Sequence, residues 1–152
     1  MKNRLFIPAV AILLLFIMAI YFFVNPSYEK SLKAKYYYEI AEYEKAYSLA
    51  KEAFSLDVYN RMAATVMTQS QTSLKYVAYI KDAKKYMLII DEIATHENIS
   101  DADRAKIRMI SNVMISAYVK LAPSVVTDEA LIKESAQFYS KFEKLLEKVN
   151  KN

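Results

Sequence analysis

The sequence predicts an all-α fold, in which an N-terminal transmembrane helix is followed by about six helices that form three antiparallel hairpins, a short α-solenoid. The chain has no glycine, which argues against glycine-dependent turns and phosphate-binding loops. It has only three prolines, so few positions interrupt a helix. Good helix formers supply most of the residues. Apolar residues recur at the spacing of one helix face, and no left-handed backbone position is expected to be so demanding that it requires glycine.

The segment 5–24 is the predicted transmembrane helix, and a tail of residues 1–4 precedes it. The segment carries no charge over 20 residues, which as a helix of about 30 Å matches the hydrocarbon core of a bilayer. A cleaved signal peptide is the alternative, but its apolar run is shorter and ends at small residues. This run ends in the bulky residues YFFV, so an uncleaved signal-anchor is favoured.

The charges beside this segment bear on its orientation in the membrane. Lys2 and Arg4 adjoin it on one side, whereas Lys30 is separated from it by residues 25–29 on the other. Because positive charges close to a span stay inside, the bulk of the chain is expected to be extracytoplasmic, which means periplasmic if the protein is bacterial. The positive charges on the two sides are nearly equal in number, so the reverse orientation stays open.

Residues 25–152 form the predicted helical domain. Its first helix is capped by Ser27 and runs to about Ile40, and the second spans residues 42–56. Asn60 is the predicted cap of the third helix, and the fourth covers about residues 79–95.

Two further helices follow the loop HENIS. Ser100 and Asp103 form a capping box for the fifth helix, which ends before Pro123. Thr127, with two acidic residues after it, is the predicted cap of the sixth.

Small residues on the second of these helices indicate close packing. Ala46, Ala50 and Ala53 are spaced i, i+4 and i+7, so they form one stripe that a neighbouring antiparallel helix can approach. The pattern of small and apolar residues on this helix returns 37 residues later, on Ala78, Ile80, Ala83, Met87 and Ile90. A period of this length is typical of helical-hairpin repeats.

The residues around this helix resemble the tetratricopeptide repeat (TPR). Ala34 and Tyr37 match the first helix of the family pattern. Tyr43, Ala46 and Ala53, with the flanking sequences EYEKA and SLD, match the second.

The resemblance is best over residues 27–60. It continues as a degenerate repeat over 61–99 and as a third helical pair, with a C-terminal capping helix, over 100–152. Val58 stands where the family usually has proline, and Lys30 and Lys33 replace an early aromatic residue and a leucine.

The resemblance implies a concave groove that binds a protein partner and is lined by the first helix of each hairpin. The residues at groove positions are Tyr28, Ser31, Lys35, Tyr38 and Glu39, followed by Thr65, Thr68, Thr72 and Tyr76. Tyr37 is then expected to pack inward and Tyr38 to face the groove. Solvated helix faces without a partner are the alternative for these residues.

The sequence offers little that predicts catalysis. It has no cysteine, and a metal or catalytic site around its single histidine, His96, would lack a second histidine or cysteine. Nearby acidic side chains either hold a cation or cap helices, namely Asp91, Glu92, Glu97, Asp101 and Asp103. Basic and acidic residues are interleaved and nearly balanced, which argues against nucleic acid as a partner. We expect no enzyme activity, cofactor, metal or small-molecule substrate.

These patterns predict a membrane-anchored interaction or scaffold module that serves a membrane-associated complex. The alternative is a structural accessory subunit, packed against integral membrane partners through its span and its last helix, with no peptide groove. The last helix carries an apolar stripe that is either such a contact surface or an ordinary inner face, formed by Ile132, Tyr139, Phe142, Leu146 and Val149.

Overall fold

The computed structural model describes residues 3–123 and 127–151, and within these ranges the chain forms six helices and no strand. The helices are α1 (Asn3–Val24), α2 (Pro26–Glu39), α3 (Tyr43–Leu56), α4 (Arg61–Ala94), α5 (Asp101–Val119) and α6 (Glu129–Lys151). The all-α prediction is confirmed. Met1 and Lys2, which belong to the predicted tail, lie outside the described residues.

The chain divides into two compact units, one up to Ser70 and one from Gln71 onward, and the boundary falls inside α4. Each unit has its own hydrophobic core. In the first unit, α2, α3 and the beginning of α4 contribute a buried cluster of small and apolar side chains. In the second unit, the rest of α4 packs with α5 and α6 around a larger cluster.

The uninterrupted course of α4 corrects the predicted number of helices. The sequence pattern predicts a break near Ala78, but α4 runs through this point and is 34 residues long. Residues 75–81 contain no glycine, proline or capping side chain, so nothing there stops a helix. Among the described residues, five helices rather than six therefore follow α1, and the segment 61–99 is not a helical hairpin.

The beginning of α2 also differs from the prediction, because Asn25 rather than Ser27 caps it. The amide of Ser27 donates a hydrogen bond of 3.0 Å to Asn25 Oδ1, and Pro26 takes the first helical position, where it is best tolerated. Ser27 consequently lies inside the helix. Its buried hydroxyl donates to the carbonyl of Ala53 in α3 at 2.8 Å.

The alanine stripe of α3 is buried, as its spacing predicts. Ala46, Ala50 and Ala53 are fully buried, and so is Ala34 on α2. Three of these alanines share a cluster with Val66 of α4. Small side chains allow these helices to approach closely, and larger neighbours fill the surrounding grooves.

The carboxamide of Asn60 connects three helices of the first unit. Its Oδ1 accepts a hydrogen bond of 3.1 Å from the amide of Ala63, which confirms the predicted cap of α4. Its Nδ2 donates to the hydroxyls of Ser27, at 2.8 Å, and Ser31, at 3.2 Å, in α2. Because Ser27 bonds onward to Ala53 of α3, one chain of buried hydrogen bonds joins α2, α3 and α4.

The turn between α2 and α3 contains a left-handed residue, and that residue is alanine rather than glycine. Ala41 has a φ of 61°. The amide of Ala41 donates a hydrogen bond of 3.0 Å to the carbonyl of Tyr38, and the amide of Glu42 donates one of 2.9 Å to the carbonyl of Tyr37. This pair of bonds is the Schellman motif, in which the left-handed position is usually glycine. Alanine occupies it at a cost of about 1 kcal/mol.

Side-chain caps stabilise the N-termini of α5 and α6, the last two helices of the second unit. The predicted capping box of α5 is confirmed, since the amide of Asp103 donates to Ser100 Oγ at 3.1 Å and the amide of Ser100 donates to Asp103 Oδ2 at 3.3 Å. At α6, Asp128 takes the cap position instead of the predicted Thr127. Asp128 Oδ1 accepts a hydrogen bond of 2.8 Å from the amide of Ala130.

Tyr79 lies in the core of the second unit beside two other tyrosines. The ring centroid of Tyr118 lies 5.8 Å from that of Tyr79 and 4.5 Å from that of Tyr139. The buried Tyr79 hydroxyl has no hydrogen-bond partner in the part of the chain that is described. Burial, assisted by Tyr118 and Tyr139, raises the pKa of Tyr79 from 10.0 to about 12, because the phenolate would form away from water.

Replacing Ala41 with glycine should stabilise the full-length chain by about 1 kcal/mol, since glycine has no β-carbon to clash in the left-handed region. Denaturant unfolding in detergent micelles, followed by far-ultraviolet circular dichroism, measures the change. The control variant Ala64→Gly, in the helical part of α4, should lose about 0.5–1 kcal/mol. A loss of stability in Ala41→Gly would contradict the left-handed assignment.

Alkaline pH should destabilise the second unit through Tyr79. The neutral phenol is favoured in the fold, so its stabilising contribution is complete below pH 10 and is lost as the pH rises toward the folded pKa of about 12. Tyr79→Phe should therefore show a smaller fall in melting temperature between about pH 9 and about pH 11.5 than the natural chain.

The control for this experiment is Tyr59→Phe, because Tyr59 is 88% exposed. The melting temperature of this variant should fall as much at alkaline pH as that of the natural chain. An equal fall in Tyr79→Phe and the natural chain would refute the role assigned to Tyr79.

Candidate interaction surface

The apolar side chains of α1 lack a cover. Every described side chain from Phe6 to Tyr21 is exposed, and Leu15 and Phe16 are each about two-thirds exposed. Contiguous apolar surface of this kind is unfavourable in water and marks a site of contact with a membrane or with another protein.

A search of the described residues finds no single helix with both the length and the apolar character needed to cross a membrane. One pair of helical segments, Phe6–Tyr21 and Pro26–Glu39, meets the two requirements together and is bent by 73° at the break. Signal sequences and buried core helices meet the same requirements.

α2 carries a buried stripe and an exposed apolar stripe on opposite sides. The buried stripe consists of Ser27, Ser31 and Ala34. Since successive residues of a helix are about 100° apart, the opposite side contains Leu32, Tyr36 and, just past the helix end, Ile40. These three side chains are 50%, 61% and 47% exposed. We call them the outer stripe; it is apolar surface that the packing of α2 against α3 leaves uncovered.

Charged side chains lie next to the outer stripe. Lys33 forms an exposed ion pair of 2.7 Å with Glu29. The hydrogen bond from Lys33 lowers the pKa of Glu29, and the same bond raises the pKa of Lys33. Lys35 and Glu39 are exposed as well. The solvent side of α2 is therefore an apolar strip bordered by charges of both signs.

The groove residues predicted on α2 have three different environments. Lys35 and Glu39 are exposed, while Tyr28 and Tyr38 are half-buried. Ser31 is fully buried, where its hydroxyl donates to the carbonyl of Tyr28 and accepts from Asn60. Ser31 thus contributes to the packing of the first unit, because it stands one turn after Ser27 on the face that meets α3.

The two neighbouring tyrosines do not divide cleanly into an inner and an outer one. Both Tyr37 and Tyr38 are half-buried against the cluster of the first unit. The ring of Tyr38 lies 5.5 Å from that of Tyr43, and the Lys45 ammonium lies 5.3 Å from the centroid of Tyr37.

The groove residues predicted on α4 also differ in exposure. In the first unit, Thr65 and Thr68 are exposed, and the hydroxyl of Thr68 donates to the carbonyl of Ala64 at 3.0 Å. In the second unit, Thr72 is half-buried and Tyr76 is only 3% exposed. Burial raises the pKa of Tyr76. Ser31 and Tyr76 do not reach solvent, and the other groove residues stay predictions.

The outer stripe was not identified from the sequence. A signal for it exists, because Leu32, Tyr36 and Ile40 are the large apolar residues spaced i, i+4 and i+8 on a mostly polar helix. The TPR pattern assigns function to a different face of the same helix and therefore does not point to these residues.

Part of the apolar stripe of α6 faces the core of the second unit. Phe142 is fully buried, and Val149 packs against the core of the second unit. Tyr139 stacks on Tyr118, and none of the five residues of this stripe is exposed. Three of the five residues, Tyr139, Phe142 and Val149, thus have the position expected of an inner face.

The side chain of Asp103 lies beside His96. The Nδ1 of His96 lies 3.6 Å from Asp103 Oδ2, and Asp103 belongs to the capping box of α5. The hydrogen bond from the Ser100 hydroxyl lowers the pKa of Asp103, and His96 acts in the same direction. Within residues 3–123 and 127–151, no group of three or more histidine, cysteine or acidic side chains is arranged to hold a metal ion.

Comparison of the chain with protein-family models, with curated proteins and with solved structures finds no match in any of the three.

Proposed function

We propose that the protein is a membrane-anchored, non-enzymatic module that binds a protein partner at the membrane surface and so serves a membrane-associated complex. The observation that carries the proposal is the exposed apolar surface of α1, which is joined through the single residue Asn25 to the packed helices of the first unit. In this proposal α1 is the anchor, and the exposed side of α2 is the binding surface.

The anchor is supported by the chemistry of α1. A bilayer covers apolar side chains on every side of a helix without any specific contact. The length of the proposed span is taken from the sequence, where the uncharged run 5–24 has 20 residues, and not from the described helix alone. With Lys2 and Arg4 retained inside, the protein is a single-pass membrane protein and the residues after Asn25 lie outside the cytoplasm.

The binding surface is supported by the composition of the outer stripe. Protein interfaces combine a buried apolar centre, rich in aromatic residues, with a polar rim. Tyr36 is the most exposed member of the stripe, and Lys35 and Glu39 lie beside it on the helix. The stripe belongs to the hairpin of residues 27–60, which is the part of the chain that resembles the TPR.

The second candidate function, a structural accessory subunit, is favoured by the same surface of α1. Transmembrane helices of a partner would cover these side chains as well as lipid does. The last helix adds less to this candidate, because Phe142 and Val149 of its apolar stripe pack in the core of the second unit.

Photo-crosslinking in native membranes tests the proposal. The full-length chain carries a photoreactive amino acid in place of Tyr36, and the membranes are washed with alkaline carbonate before illumination. The chain should remain in the membrane pellet and form one discrete protein adduct. The matched control has the photoreactive residue in place of Ser48, which is exposed on α3, and should form no such adduct.

A second variant separates the two candidate functions. When leucines replace the apolar residues of α1, the adduct from position 36 should persist if α1 is a plain anchor. Loss of the adduct would favour the accessory subunit. Release of the natural chain by carbonate would refute the anchor, and equal adducts from positions 36 and 48 would refute the binding surface.

A further inference from the structure

A cavity of about 330 Å³ lies within the second unit, where α4 ends, α5 begins and α6 ends. Most of its walls are apolar and come from all three helices, and Ile99 adds a side chain from the segment before α5. Its volume falls at the lower end of the range for small-molecule sites, which are mostly apolar with a few polar groups. Neither the anchor nor the outer stripe takes part in it.

Two cations, Arg104 and Lys148, are the polar side chains that line this cavity. Neither forms an ion pair with any carboxylate in the described ranges. The acidic residues beside them in the chain are engaged elsewhere, since Asp103 bonds to Ser100 and Glu147 pairs with Lys151. Among the described residues, the lining of the cavity therefore combines apolar walls with two positive charges and no carboxylate.

The position of Arg104 is not explained by the helices themselves. The negative end of the α6 dipole favours a cation at Lys148, but Arg104 stands near the beginning of α5, where the dipole disfavours one. Arg108, one turn later, shows what a structural arginine does here. Its Nε donates to Asn150 Oδ1 at 2.9 Å, and its guanidinium also contacts the Val149 carbonyl. Arg104 has no comparable contact among the described residues.

We infer that this cavity binds a single-chain amphiphile with a carboxylate head, such as a medium-chain fatty acid. The apolar chain lies among Ile90, Ile99 and Ile107, and Arg104 and Lys148 hold the carboxylate. Guanidinium groups bind carboxylates with paired hydrogen bonds, and a second cation adds to the attraction. A small hydrophilic anion would bind more weakly, because it has no apolar chain to place against the apolar walls.

Titration of the full-length chain with octanoate in detergent micelles tests this inference by methyl nuclear magnetic resonance. The methyl signals of the three cavity isoleucines should shift in a saturable manner, whereas that of Ile115, which is not among the lining residues, should not. Octan-1-ol matches the chain without the charge, and acetate matches the charge without the chain. Both should bind at least about tenfold more weakly.

Two variants locate the carboxylate. The double variant Arg104→Gln with Lys148→Gln should weaken octanoate binding by about tenfold or more while leaving the spectrum of the free protein unchanged elsewhere. The matched control Lys106→Gln removes an exposed lysine of α5 that does not line the cavity, and it should bind octanoate as the natural chain does.

Three results would overturn the inference. One is the absence of saturable shifts at the cavity isoleucines. Another is a lack of dependence on charge, seen either as equal binding of octanoate and octan-1-ol or as equal affinity in the double variant and in Lys106→Gln. The third is binding of the peptide acetyl-Leu-Leu but not of octanoate, which would assign the cavity to the carboxyl terminus of another protein. None of these results bears on the anchor or on the outer stripe.

Discussion

The buried carboxamide of Asn60 is the interaction on which the first unit depends. Both its oxygen and its amino group are engaged, one by the beginning of α4 and the other by two serines of α2. A buried polar group that loses its hydrogen-bond partner destabilises the fold by about 1–3 kcal/mol. Removing one side chain of this network would therefore leave its partners buried without a hydrogen bond. The core around it consists largely of alanines, and each alanine buries little apolar area. We therefore assign the rotation of these helices about their axes to the directional hydrogen bonds.

The same network decides which side of α2 faces outward. Because Ser27 and Ser31 must meet Asn60, the opposite side of the helix, with Leu32, Tyr36 and Ile40, is turned to solvent. α2 begins two residues after α1 ends, so this rotational setting determines the surface presented next to the proposed anchor. The buried hydrogen bonds of Asn60 thereby determine that the outer stripe, to which we assign partner binding, is exposed.

Features that depend on neighbouring residues could be predicted from the sequence. The capping box of Ser100 and Asp103, the cap at Asn60 and the alanine stripe of α3 follow from local spacing, and all three are present. The break near Ala78 was predicted from apolar faces assigned to two separate helices, without any residue there that stops a helix, and α4 continues through it. Apolar periodicity alone was here a weaker guide than local helix signals.

Other features depend on contacts between residues distant in the chain. Ser31 has the polarity of a surface residue, and its burial becomes clear only when Asn60, 29 residues later, lies against it. The left-handed Ala41 could not be predicted from composition, because alanine strongly favours helix and the turn imposes the backbone angle. The cavity lined by Arg104 and Lys148 likewise brings together residues from separate helices.

A double-mutant cycle on Ser27 and Asn60 tests the central claim, that one buried hydrogen-bond network holds the first unit together. The variants Ser27→Ala, Asn60→Ala and their combination are compared by denaturant unfolding of the full-length chain in micelles. Each single change leaves a partner unsatisfied, so the combined loss should be smaller than the sum by at least about 1 kcal/mol. Losses that add to within about 0.3–0.5 kcal/mol would contradict the claim.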